Sequence, residues 1–129
     1  MASRVMLLAI VLAVILGLHA ASIIPEHNWY NQFWWLDWIL HFAGGAWVTC
    51  LLLALVPRVP VFINISFVFA VSFLWEVLEY IFDIPFFGAG EASFADSLWI
   101  LDTLIDIVIA MVAAAIVGAL ANRYTKSNV

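Results

Sequence analysis

The chain has 129 residues, 67% of them hydrophobic and only 10% charged, with a formal net charge of -5. A soluble domain is typically about 45–50% apolar and about 25% charged, so this is the composition of an integral membrane protein. The acidic balance excludes binding to nucleic acid through its phosphates, and a single cysteine, Cys50, in an apolar run excludes a disulfide framework or a thiolate metal site.

A first apolar run, at about residues 5–24, follows Arg4. Its basic lead and its Ala20-Ala21-Ser22 end also fit a signal peptide, but we read it as an uncleaved helix carrying His19 near its far end. Pro25 breaks that helix, and Trp29, Tyr30, Trp34 and Trp35 suit the headgroup layer of a bilayer. A second span covers about 36–56, and Pro57-Arg58-Val59-Pro60 forms a short turn. A third covers about 61–82. Residues 83–97, with Pro85, Gly88 and Gly90, read as a surface loop. A fourth span covers about 98–121, followed by a polar tail from Asn122. Four spans with short connections predict an all-α integral membrane four-helix bundle.

The four basic residues, Arg4, Arg58, Arg123 and Lys126, all fall on one side. By the positive-inside rule both termini of this multi-pass protein are cytoplasmic. All nine acids (Glu26, Asp37, Glu76, Glu79, Asp83, Glu91, Asp96, Asp102 and Asp106) and the three histidines, His19, His27 and His41, then lie in the outer half or the outer loops.

Acids inside a bilayer are costly, about 2.5–3.5 kcal/mol each at a helix centre. Glu76, Glu79 and Asp83 fall at i, i+3 and i+7, on one helical face. Asp37 and His41 begin a row that continues through Gly45 and Thr49. Asp102 and Asp106 begin one that continues through Ala110, Ala114 and Gly118. Small residues at this spacing let helices approach closely, so both rows face the bundle interior. Asp37, His41, Glu76, Glu79, Asp102 and Asp106 thus form one layer, with no lysine or arginine to pair with them. Two carboxylates about 4 Å apart repel by about 4 kcal/mol at an effective dielectric of 20. Either shared protons or a bound cation neutralises the layer. Oxygen ligands with one imidazole suit Mg, Mn, Ca, Fe or Zn as the divalent ion.

Simpler roles exist for single members. Asp37 suits a helix N-cap, Asp83 and Asp96 suit loops or caps, His41 suits a hydrogen-bonded interior position, and His19 and His27 suit the interface. Glu76, Asp102 and Asp106 lie within spans and resist such explanations.

The order of these motifs is similar to a known family. Asp37-Trp38-Ile39-Leu40-His41-Phe42-Ala43-Gly44-Gly45, then Ser72-Phe73-Leu74-Trp75-Glu76-Val77-Leu78-Glu79-Tyr80, then Asp96-Ser97-Leu98-Trp99 with Asp102-Thr103 and Asp106, and finally Gly118, resemble the YjdF-like small bacterial inner-membrane proteins. More distantly they resemble the VanZ-like group, which shares the Asp-x-x-x-His, Glu and Asp order. This chain is shorter than most members. The resemblance implies a multi-pass protein of the cell inner membrane with a polar intramembrane cluster and supplies no activity.

Three functions remain open. The first is a metal-dependent enzyme acting on lipid or lipid-linked headgroups, in which the ion polarises a phosphoryl or ester oxygen and Glu79 is the general base. The second is an ion or proton transport element, for which the inner halves offer little beyond Thr49, Asn64 and Ser66. The third is a non-catalytic accessory subunit of a larger membrane complex.

Overall fold

The computed structural model describes residues 2–22, 29, 33, 35–56, 58–86 and 97–127. The apolar runs become four helices: α1 (Ala2–Ser22), α2 (Trp35–Leu55), α3 (Val61–Phe86) and α4 (Ser97–Ser127). Pro60 starts α3. Its carbonyl accepts the Asn64 N–H at 3.1 Å, and a proline's missing N–H is no loss at a helix start. The turn before it places Arg58 at a φ of 69°, a left-handed conformation that costs a residue with a Cβ about 1–2 kcal/mol. Val59, buried beside it, ties the turn to the bundle.

Stretches Trp35–Leu55, Val61–Ile81 and Ile100–Tyr124 are long and apolar enough to cross a membrane, and the shorter Met6–Ser22 is apolar too. The protein is therefore an all-α membrane bundle. The helices overrun the expected spans: α3 continues to Phe86 and α4 to Ser127. Hydropathy marks where apolar character stops, whereas a helix needs only its own backbone hydrogen bonds and tolerates Asn122 and Arg123 on its surface. Residues 83–86, expected as loop, are the last turn of α3.

Lipid tails are as apolar as leucine, so close packing holds such a bundle together. The most extensive interface is α2 with α4, followed by α3 with α4, while among the described residues α1 approaches the backbone of α2 alone. At the α2–α4 crossing Gly45 lies against the α4 backbone. A Cβ added there would fall 2.8 Å from Ala110 Cα, which is why this position holds glycine. Val68, Ala110 and Ala114 form the buried core, with Val48 and Ile65 packed around it. Toward the Arg58 end, the Asn64 side-chain amide donates to the Ala114 carbonyl at 2.9 Å and to Thr49 Oγ1 at 3.2 Å. That group clamps α2, α3 and α4 together. Trp47 Nε1 donates to the Leu8 carbonyl at 2.7 Å and fastens α1 to α2.

The helices run antiparallel in sequence order. Arg58 and Arg123 sit at one end of the bundle, and the His41 end lies opposite. Expectations for residues 25–28, Tyr30, Trp34, Pro57, Gly88, Gly90, Glu91 and Asp96 fall outside the described residues, as do those for the side chains of Arg4, Asp83, Trp99 and Lys126.

Candidate metal centre

The centre forms where the interior rows of α2 and α4 meet the acidic face of α3. On α2, Asp37 and His41 stand one turn apart above the buried Gly45 and Thr49. Steric closeness below, at Gly45 and Ala110, brings the helices near enough for short acids to meet above. Three carboxylate oxygens from three helices surround one imidazole nitrogen. His41 Nε2 lies 3.5 Å from Asp37 Oδ1, 3.6 Å from Glu76 Oε1 and 4.0 Å from Asp106 Oδ2. The side chains of His41, Glu76 and Asp106 are at most 8% exposed.

None of the three oxygens is at ordinary hydrogen-bonding distance, about 2.7–3.2 Å for a nitrogen donor. One N–H could serve only one of them. Thr103 Oγ1 donates to Glu76 Oε2 at 3.0 Å, which fixes that carboxylate and leaves its other oxygen facing His41. Among the described residues, Glu76 Oε1 and Asp106 Oδ1 are buried without a hydrogen-bond partner. An unfilled buried polar atom costs about 1–3 kcal/mol, more if charged.

This donor set fits a metal ion. Bonds of about 2.0–2.2 Å place neighbouring ligand atoms roughly 3.0–3.6 Å apart; Asp37 and Glu76 stand at that spacing from His41 Nε2, and Asp106, at 4.0 Å, stands slightly beyond it. Ligand atoms of Asp37, His41 and Asp106 lie within 4.8 Å of one another, and so do those of His41, Glu76 and Glu79. Five of the six expected residues, Asp37, His41, Glu76, Glu79 and Asp106, therefore fall into two groups that share His41. Glu79 stands at the margin, where its Oε1 lies 3.6 Å from His19 Nε2. The His19 ring meets Trp75 edge-on at 5.0 Å.

Asp102 is placed differently. It is exposed and belongs to neither group. Each i+4 step overshoots a 3.6-residue turn by about 40°, so a row drifts around its helix. Asp106 stays within the buried face that includes Ala110, and Asp102, one step further, has turned out of it.

Two participants escaped the sequence reading as site residues. Thr103 shares a face with Asp106 and Ala110 at i, i+3 and i+7, a spacing that is visible in the sequence. His19 carried no such mark, because its partner lies on another helix.

No curated protein and no solved structure matches the chain. A family model described as a predicted membrane protein (DUF2238) matches residues 1–127. That family is the YjdF one, so the match agrees with the motif resemblance and extends it across α1, but it lends no support to a VanZ-like relation. The chain belongs to the DUF2238 family of predicted membrane proteins.

Proposed function

We propose that the His41 cluster is a divalent-cation centre of a multi-pass inner-membrane protein, set in the outer half of the bilayer, and that it acts on a lipid or lipid-linked headgroup. The convergence of Asp37, Glu76 and Asp106 oxygens on His41 Nε2, with two buried carboxylate oxygens left unfilled, carries this reading. A cation satisfies all of them at once, and a proton satisfies one. Oxygen-rich donors with one imidazole suit Mg, Mn, Ca, Fe or Zn. The ion would supply Lewis acidity toward a phosphoryl or ester oxygen. Glu79, beside His19 and at the edge of the cluster, is the carboxylate placed to accept a proton.

A transport path is less well supported. Beneath the cluster lies the apolar layer of Val68 and Ala110, both at most 1% exposed, and conduction needs a continuous polar lining. The basic residues of the opposite end support cytoplasmic termini.

The test is elemental analysis of purified protein after loading with each divalent ion in turn. One retained ion per chain is expected in the wild type and in Asp102→Asn, and none in Glu76→Gln/Asp106→Asn. A wild type that retains no ion after any loading overturns the proposal.

A further inference from the structure

A cavity of about 200 Å³ lies between α1, α2 and α3, directly below the cluster. His19 and His41 form its upper end, with Ser72 alongside, and Leu12, Leu16, Gly44, Val48 and Trp75 line the rest. From His19 to Leu12 is seven residues, roughly 10 Å along the helix. The cavity is thus a slot parallel to the membrane normal, polar at the top and apolar below. Its α1–α3 side is closed by side chains alone, with His19 against Trp75 and Glu79 at the top, because among the described residues those two helices do not approach at the backbone. Gly44 faces the slot, and a Cβ added there meets nothing within 4 Å. An apolar void of this size within a membrane forfeits contacts on every wall unless something fills it.

We infer that this slot seats a single hydrocarbon chain whose phosphoryl head group reaches the His41 centre, so that the ligand is a single-chain lipid phosphate. The head group rests on the cation reading above; the chain does not. A 150 Å³ apolar cavity takes a benzene, so 200 Å³ takes roughly eight carbons. Pockets for larger ligands run to about 300–1,000 Å³, and one chain fits here where two would not. The slot's long axis matches a lipid tail entering sideways between α1 and α3. The head group must be one that a cation holds. The upper end presents His19 and His41 with no lysine or arginine among its described lining residues, and the carboxylates stand behind His41, so an ion held at His41 is what gives a phosphate its partner there.

The test uses the full chain in phosphatidylcholine nanodiscs with two photoactivatable probes of equal length, an alkyl phosphate and the corresponding alkyl alcohol. In ion-loaded protein, the phosphate probe labels Leu12, Leu16 or Val48 saturably, and unlabelled alkyl phosphate competes it away. The alcohol labels the slot at least tenfold less. Gly44→Phe, which fills the slot from α2, cuts the labelling at least tenfold while ion content stays at the wild-type level. Leu16→Trp, placed on the exposed α1 surface, does the same from the other wall and covers the case in which Gly44→Phe fails to fold. Unsaturable labelling spread evenly over the lipid-facing Phe62 and Leu120 overturns the inference. Saturable slot labelling that is equal for alcohol and phosphate overturns the head group. If ion content is zero yet the slot still labels, the cation centre has failed and the chain seat alone stands.

Discussion

The bundle contains two buried polar layers on the same three helices, and they are built to opposite ends. In the layer nearer Arg58, the Asn64 amide donates to Ala114 and Thr49, and only its own carbonyl oxygen is left over. Every group in it is neutral. In the layer nearer Asp37, carboxylate oxygens crowd one nitrogen, and Glu76 Oε1 and Asp106 Oδ1 are buried there without a hydrogen-bond partner. The apolar core of Val68, Ala110 and Ala114 divides the two. A neutral layer with its donors filled holds helices together, whereas an acidic layer short of donors costs stability unless something enters it. Position along a helix, then, does not decide which polar group is structural. Satisfaction does.

Substitutions separate the two layers sharply. Glu76→Gln/Asp106→Asn should abolish ion retention, a loss of at least a hundredfold in affinity, while leaving the ion-free protein as stable as the wild type or more so, because buried charge has been removed. Ion titration beside thermal unfolding with chelator checks both halves. If the variant unfolds without ion loss, the outer layer is structural and the contrast fails.

Gly45→Ala should damage both layers together, because a new Cβ against the Ala110 backbone pushes α4 from α2. Overpacking of this kind costs about 1–3 kcal/mol, and denaturation in mild detergent should report it along with weaker ion binding. Asn64→Ala should cost about 1–3 kcal/mol from the loss of its two bonds and leave ion content unchanged, measured by the same pair of assays. Thr103→Val should do the reverse: removing the hydroxyl that orients Glu76 should weaken ion affinity about tenfold with little change in unfolding. The smallest effect belongs to Trp47→Phe. It breaks the bond to Leu8 and should cost about 1 kcal/mol, read as faster proteolysis within α1 with ion content intact.

How much of this was legible beforehand follows from the kind of signal each feature leaves. The helices were legible because long apolar runs between Pro25, Pro57 and Pro60 allow little else. The interior rows were legible because small residues and acids share an i+4 spacing, which predicts that Asp37, His41 and Asp106 meet between α2 and α4, as they do. The same rule put Asp102 in the interior, whereas its side chain is exposed near the start of α4, because a row at exact fours rotates around its helix. The ends of α3 and α4 were hidden because helical backbone outlasts apolar composition. The His19–Glu79 pair was hidden for a different reason: it joins α1 to α3, and no local pattern records which face of an evenly apolar helix will meet a distant acid.

The close approach of Gly45 to Ala110 also bears on how the protein is made. Its tightest seam joins α2 to α4, helices separated in sequence by an entire span. A nascent chain emerging from the ribosome can pair α1 with α2 early through Trp47 and Leu8, but Gly45 waits until α4 is synthesised. Until then Glu76 has His41 of α2 beside it but neither Thr103 nor Asp106. The cluster is therefore completed last, and a chain released after α3 would hold His41, Glu76 and Glu79 but neither the Thr103 hydroxyl nor the Asp106 carboxylate that α4 brings to them.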